Sequence, residues 1–308
     1  MPLLSSKIIL NNALQKNYLV GAFNVNNLEL FKAVISTAEK EASPVIIQVS
    51  LGAIKYAGID FLQAIVQTAE KNSTVNFALH LDHGKTFEDC VNAINHGFTS
   101  VMIDGSSLTF NDNVSLTKKV VDYAHKFNVS VEGEIGTIAG IEDNVNVIDE
   151  NSLYTNSDEA IKFAKLTGVD SLAIAIGTKH GAFKFAGEPN LKVGIAKEIH
   201  YKLPNLPLVL HGASNVPDYL VEKINKYGGK LKKAKGVPES IITSLIGTGI
   251  CKINIDSDLR IAFTATIREY LFNNPECIDP REYLGVAMTE VQNLVSHKIC
   301  LFNLLKNK

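Results

Sequence analysis

Cysteine is scarce: the four in 308 residues, Cys90, Cys251, Cys277 and Cys300, form no CxxC pair and are too few for a disulfide framework. That argues against a secreted, disulfide-stapled protein and for a reducing cytoplasm. Long apolar runs are missing as well, since nowhere do about 18 apolar residues follow one another, the least a membrane-crossing helix requires. The first residues, MPLLSSKIILNNALQKNYL, lack the basic segment, apolar block and small-residue cleavage site of a secretory signal. Neither sign of charge dominates: 30 basic against 32 acidic residues give a net charge of −2, so no global field recruits nucleic acid or an anionic membrane. Small molecules are the expected partners.

What is present is a rhythm. Eight apolar stretches recur: AFNV (Ala22 to Val25), PVIIQVS from Pro44, VNFALHLDHGK (Val75 to Lys85), SVMIDGS (Ser100 to Ser106), SVEGEIG (Ser130 to Gly136), SLAIAIG from Ser171, LPLVLHGAS (Leu206 to Ser214) and ICKINIDS (Ile250 to Ser257). Apolar strands without alternation are buried on both faces, which is the mark of a parallel sheet. Segments of helical period separate them, among them Leu28 to Ala42, with Leu30, Phe31, Val34, Ile35 and Ala38 on one face, and Ser157 to Thr167. A helix over Lys7 to Lys16 precedes the first strand, and two more, Asp258 to Phe272 and Arg281 to Leu305, follow the last. The pattern predicts a single α/β domain over residues 1–308, a (β/α)8 TIM barrel with an extra N-terminal helix and C-terminal helices. In that fold the active site lies at the C-terminal strand ends, whereas an open doubly wound sheet would string those ends along an edge. Two segments depart from the plan. Thr137 to Asn156 is about 20 residues without a periodic pattern, a length that points to function or disorder. Lys226 to Pro238, KYGGKLKKAKGVP, is basic and glycine-rich and reads as a solvated surface loop.

Residues of catalytic type gather at the expected strand tips. Asp82, His83 and Gly84 end the third strand, His180 and Gly181 follow the sixth, and His211 and Gly212 the seventh. Of eight histidines, five (His80, His96, His125, His200 and His297) read as surface or hydrogen-bonded core residues. Three at equivalent tips, each followed by glycine, match the protein part of an open catalytic zinc site, so His83, His180 and His211 are expected to share one divalent metal. Asp82 suits a ligand or a base; neighbouring strand residues point to opposite faces, which disfavours Asp82 and His83 binding one ion unless a turn at the tip relaxes this, so Asp82 is assigned as a proton carrier held close to the metal. Asp104 and Glu134, at the fourth tip and on the fifth strand, are alternative oxygen ligands; Glu132 shares a face with Glu134, and a salt-bridged structural acid is the competing reading of either glutamate. Tips six to eight also offer small residues and amides suited to phosphate: Gly181 with Lys184, then Gly212, Ala213 and Ser214, then Asn254, Asp256 and Ser257.

In the segments HLDHG, VEGEIGTIAGIE, GTKHGAFKF, VLHGAS and NIDSDLR, in this order, the chain resembles the class II, metal-dependent fructose-bisphosphate aldolases from about Ser5 to the C-terminal helix. The resemblance implies zinc on His83, His180 and His211, with Asp104 and Glu134 at an alternate metal position. It implies that Asp82 exchanges a proton with the C4 hydroxyl and that Glu142 is the glutamate of a mobile loop. Gly181, Lys184, Gly212, Ser214, Asn254, Asp256 and Ser257 would hold the dihydroxyacetone phosphate end, with Ala213 and Ile255 among the binding residues and a sodium or potassium ion near that phosphate. Ser50 and Arg260 would lie close to the other phosphate. Ala139 stands where the family more often has glycine and Ile141 where some members have a second glutamate, while Glu142 is kept. The implied activity is the glycolytic cleavage of fructose 1,6-bisphosphate into dihydroxyacetone phosphate and glyceraldehyde 3-phosphate, by a cytoplasmic homodimer or homotetramer. The C-terminal helix, with Leu284, Val286, Val291, Leu294 and Val295, offers a face for the partner subunit.

The residues leave competitors. A tagatose-bisphosphate aldolase differs only at C4 stereochemistry. A barrel metallohydrolase would use the same histidines to activate water but has no use for phosphate-type amides on tips six to eight. A Schiff-base aldolase would act through Lys179 or Lys252. A non-catalytic sugar-phosphate binder leaves Asp82 and Glu142 unmotivated.

Overall fold

A computed structural model describes residues 2–136, 139–142, 145–147, 154–180, 191–232 and 236–304, with the backbone alone at 139–142, 145–147 and 179–180. In chain order the elements are α1 (Ser6–Lys16), β1 (Val20–Asn24), α2 (Leu28–Lys40), β2 (Val45–Ser50), α3 (Leu51–Ala57), α4 (Ile59–Asn72), β3 (Phe77–Gly84), α5 (Phe87–Asn95), β4 (Ser100–Ile103) and α6 (Phe110–Ala124). Then come β5 (Ser130–Ile135), β6 (Ala139–Glu142), β7 (Val145–Val147), α7 (Ser157–Thr167), β8 (Ser171–Ile174), β9 (Lys179–His180), α8 (Val193–Lys202), β10 (Leu208–Leu210), α9 (Asp218–Lys226), α10 (Glu239–Ser244), β11 (Ile250–Ile255), α11 (Ser257–Asn273) and α12 (Pro280–Phe302).

Eight strands close into a barrel in the order β1-β11-β10-β8-β5-β4-β3-β2, every neighbouring pair parallel. This is the expected (β/α)8 TIM barrel. Its strands carry almost unbroken burial because one face meets the helices and the other fills the lumen. Several helices start where short polar side chains take up the first free amides: Asn27 accepts from Leu30 N at 2.9 Å, Thr86 and Asp89 form a reciprocal capping box, and Asn156 accepts from Glu159 N.

The N-terminal helix has a specific job. Ile9, Leu10 and Ala13 pack with Val20, Ala22, Ile46, Ala78 and Cys251, lumen-facing residues at the start of the strands, so α1 plugs the bottom of the barrel. At the other end of the chain, α12 turns Val291, Leu294 and Val295 into the protein's own core, where it lies against α2 and α11. These three side chains are therefore not the partner-facing surface expected from their spacing; of that set Val286 remains 44% exposed.

Four elements were not expected. Helix α3 is seven residues long, buries one alanine, and exists because Ser50 accepts from Ala53 N at 3.2 Å, so no apolar stripe announces it. Helix α10 begins directly after Pro238. Within the segment read as pattern-free, β6 and β7 pair antiparallel, and β6 runs parallel to β9 with Gly140 opposite His180. Gly236 and Val237, from the stretch read as a solvated loop, lie against the turn after β10: Val237 N donates to Ser214 O at 3.2 Å, and a Cβ at Gly236 would collide with the backbone of Asn215.

Candidate active site

Strands β3 and β10 stand opposite each other in the closed order, four positions apart in either direction. In an open sheet four strand spacings of about 4.8 Å would separate their tips by roughly 19 Å. Across the barrel mouth, His83 Nε2 and His211 Nδ1 are 2.9 Å apart, the rings edge to face with centroids at 4.7 Å. His83 is on β3 and His211 follows the last residue of β10.

The tip of β3 breaks the strand's alternation. His83 has φ of +50°, and the β3–β4 pairing shifts between Leu81–Val101 and Gly84–Ile103, so three residues on β3 are matched by two on β4. The bulge lets Asp82 and His83 face the same space, and Asp82, His83 and His211 present ligand atoms all within 4.8 Å of one another. Alternation is thus no ground for separating Asp82 from the histidines. Gly84 serves packing rather than ligand approach: a Cβ there would sit 2.8 Å from Met102 O and 3.2 Å from Cys90 Sγ.

Carboxylates occupy the far nitrogen of each ring. His211 Nε2 lies 2.8 Å from Glu132 Oε1, and His83 Nδ1 lies 3.1 Å from Asp104 Oδ2 and 3.8 Å from Glu134 Oε2. Lys85 Nζ also reaches Asp104 Oδ2 at 2.6 Å, and Ser106 donates to Asp104 Oδ1 through both its backbone and its hydroxyl. Burial alone would raise the Asp104 carboxyl, but His83 and Lys85 outweigh it and hold the group well below the usual carboxylate range. Glu132 behaves alike, with Lys252 and His211 overcoming burial. Glu134 moves the other way: burial and the charge of Asp104 push it well above its ordinary value. Burial also lowers His211.

This donor set fits a divalent cation. With N–H of each ring directed at a carboxylate, the nitrogens that face each other 2.9 Å apart both present lone pairs, an arrangement that only a proton or a cation between them stabilises. Glu134 Oε2 is buried and makes no hydrogen bond among the described residues. His83, Asp104 and Glu134 also group as a possible ligand set, matching the expected alternate position. His180 does not end a barrel strand as anticipated: β8 stops at Ile174, and His180 lies on β9, beside the β6 hairpin. Its side chain and that of Glu142 lie outside the described residues, as do Gly181 and Lys184.

Asp82, 2% exposed, is held by two amides that sequence reasoning did not join to it. Asn24 Nδ2 donates to Asp82 Oδ2 at 2.7 Å, Gln48 Nε2 donates to Asn24 Oδ1 at 2.8 Å, and Asn254 Nδ2 lies 3.4 Å from Asp82 Oδ1 and 3.1 Å from His211 Nδ1. The missed signal was a polar residue at the end of one apolar strand, Asn24, and in the middle of the next, Gln48. Ser50 is in register with Asp82 at the top of β2. Gly212 takes a left-handed φ of +65°, which suits only glycine readily, and Ala213 and Ser214 follow it into the wall of the mouth, buried. That turn is fixed by Asp258, which accepts from Asn215 N and Val216 N. Asn254 and Ile255 end β11, the Ile255 side chain entering the core, and Ser257 opens α11. Arg260 Nε pairs with Asp256 Oδ1 at 2.7 Å. Lys252 is sealed against Glu132 in the lumen, which removes it as a Schiff-base candidate.

The sequence model of the family described as "Fructose-bisphosphate aldolase class-II" matches residues 4–307. A fructose-bisphosphate aldolase of Giardia intestinalis is 45% identical over 305 residues, 98% of this chain and 93% of the relative. One from Thermus caldophilus is 46% identical over 294 residues, 96% of each. Among solved structures, the YdjI aldolase of Escherichia coli K12 superposes with a TM-score of 0.77 at 30% identity, covering 97% of both chains.

Proposed function

The chain belongs to the class-II fructose-bisphosphate aldolase family, and from that membership together with the facing histidines we infer that it is a metal-dependent lyase that cleaves fructose 1,6-bisphosphate to dihydroxyacetone phosphate and glyceraldehyde 3-phosphate. The observation that carries the reading is the 2.9 Å approach of His83 Nε2 to His211 Nδ1 with a carboxylate on the outer nitrogen of each. His83, His211 and His180 are the proposed zinc ligands, with Asp104 and Glu134 as oxygen donors at a second position. A divalent cation there, when bound, supplies Lewis acidity to the C2 and C3 oxygens as the C3–C4 bond breaks.

The protein's own groups handle the protons. Asp82, oriented by Asn24 and Asn254, takes the proton of the C4 hydroxyl, and electrons of the O–H bond form the aldehyde carbonyl while the C3–C4 pair remains on C3. Glu142, the last residue of β6, is the proposed donor that protonates C3, a reading supported by the pairing of β6 with the strand that carries His180. Asn254 lies between Asp82 and His211, where its amide suits an enediolate oxygen. The amides at Gly181, Gly212, Ala213, Ser214, Asn254, Ile255, Asp256 and Ser257, with Lys184, are proposed for the dihydroxyacetone phosphate end and a nearby sodium or potassium ion. The left-handed turn at Gly212 and the N-terminus of α11 support this reading. Ser50 and Arg260 are proposed for the other phosphate.

The test is a cleavage assay run in parallel on the fructose and tagatose bisphosphates, before and after chelation. Cleavage faster on the fructose sugar, abolished by EDTA and restored by zinc, is expected. Activity that survives exhaustive chelation and is trapped by borohydride on Lys179 would overturn the metal mechanism, and preference for the tagatose sugar would reassign the substrate.

A further inference from the structure

Below the site, the lumen holds a chain of buried polar groups that the proposed ligands and proton carriers do not account for. Lys252, on β11, is fully buried, with Nζ 2.7 Å from Glu132 Oε2 and 3.2 Å from His80 Nε2. Glu132, on β5, gives its other oxygen to His211 Nε2 at 2.8 Å. His80, on β3, turns Nδ1 to Ser100 Oγ at 2.7 Å, and Ser6 of α1 reaches the hydroxyls of Ser100 and Ser130 at 2.7 and 2.9 Å.

Stability alone is a poor reason to keep a lysine–glutamate pair here. The cost of taking both charges out of water offsets their attraction, and well-packed apolar replacements are often as stable. The hydrogen-bonding roles suggest another purpose, because an ammonium group only donates. Lys252 therefore makes acceptors of both His80 Nε2 and Glu132 Oε2. His80 must then carry its proton on Nδ1 and donate it to Ser100. Glu132, facing donors on both sides, accepts the Nε2–H of His211, which leaves the Nδ1 lone pair of His211 turned toward His83. One end of the chain is anchored by the α1 plug, and the other sets a single ring.

We propose that Lys252 and Glu132 are positioning residues for His211: the buried pair fixes the ring's tautomer and plane and makes it a stronger donor to a divalent cation. His80 and Ser100 hold the lysine in place. The proposal rests on the reading of His211 as a metal ligand.

Zinc affinity of the demetallated full chain, measured by competition with a chromophoric chelator, tests it without recourse to turnover. Glu132→Gln keeps an acceptor near His211 but removes the charge, and the expected loss of zinc affinity is about 10- to 100-fold, as for other partners of metal-bound histidines. Lys252→Met strands the glutamate and should weaken zinc while lowering the melting temperature. The double variant Lys252→Met with Glu132→Gln leaves no stranded charge, so the melting temperature should return toward the parent while zinc affinity stays low. Glu132→Asp, which keeps the charge pair and withdraws the carboxylate from His211 by one methylene, should also weaken zinc and shift the absorption bands of the cobalt(II)-loaded protein. Double and Glu132→Asp variants that bind zinc within about twofold of the parent, with unchanged cobalt spectra, would make the pair merely structural and overturn the proposal. A parent chain that binds no zinc would instead remove the metal site itself, a failure distinct from the first.

Discussion

Replacing Asp82 by alanine separates two roles that the geometry brings within a few ångströms of each other. The carboxylate is 2% exposed, accepts from Asn24 Nδ2 at 2.7 Å and approaches Asn254 Nδ2 at 3.4 Å. It also groups with His83 and His211 as a possible ligand set. As a general base its removal should cut kcat about 10²- to 10⁴-fold, which is roughly 2.7 to 5.4 kcal/mol on the barrier. The Asn24 amide would lose its acceptor in a buried position, at a cost of about 1–3 kcal/mol in stability. The assay is release of dihydroxyacetone phosphate coupled to NADH oxidation, alongside zinc content after gel filtration and a thermal melt. The expected result is lost turnover with zinc retained and a modestly lower melting temperature. Turnover within tenfold of the parent would remove Asp82 from the chemistry, and zinc lost together with turnover would make it a ligand rather than a base.

Glu142→Ala should slow exchange of the C3 proton of dihydroxyacetone phosphate with solvent more than it slows cleavage; equal losses in the two assays would give Glu142 another role. Gly84→Ala puts a methyl 2.8 Å from Met102 O, so β3 must draw back from β4 at a cost of about 1–3 kcal/mol, carrying His83 with it. A melting temperature and zinc affinity equal to the parent's would show that the strand accommodates the methyl. Glu239 is raised by burial but pulled net below its ordinary 4.5 by Lys298 and His297, which tie α12 to α10. A depressed carboxyl stabilises the fold above its unfolded value, and the contribution is lost as pH falls through the lower folded value. Glu239→Gln should therefore melt below the parent at pH 7, with the gap closing in titrations taken below pH 4.5, whereas a gap independent of pH would mean the charge is irrelevant.

All eight barrel strands were legible because a doubly buried strand must be apolar throughout, and helix α7 was legible to the residue because Asn156 caps it and Gly168 ends it in a left-handed turn. What escaped was local structure sustained by something other than a stripe. Helix α3 depends on one serine, and β6 pairs on one side with the short β7 and on the other with β9, a partner far along the chain that no periodicity encodes. The apolar face of α12 was legible as a face, but sequence spacing cannot say whether it meets a second copy or the chain's own α2 and α11; the structure gives the latter.

The site divides along the same line. His83 and His211 stood out because an imidazole at a strand tip has no packing role to explain it. Asn24, Gln48, His80, Glu132 and Lys252 each interrupt an apolar run, and each taken alone reads as an exception to burial. Asn24 and Gln48 are in register on adjacent strands, but only closure makes His80, Glu132 and Lys252 neighbours, since inward-facing residues of β3, β5 and β11 touch across the lumen while their strands are not adjacent. The bulge at His83 is invisible for a related reason: a left-handed φ at a non-glycine residue is imposed by the tertiary structure and carries no compositional mark. Yet one inference was within reach. A lysine in the middle of ICKINI requires a buried counterion, because an unpaired ammonium is too costly in an apolar lumen. The acids interrupting SVEGEI were the inward carboxylates available to answer it. Charge balance alone could pair Lys252 with one of those acids, but that the acid is Glu132, and that its other oxygen meets His211 Nε2 at 2.8 Å, follows only from closure of the barrel.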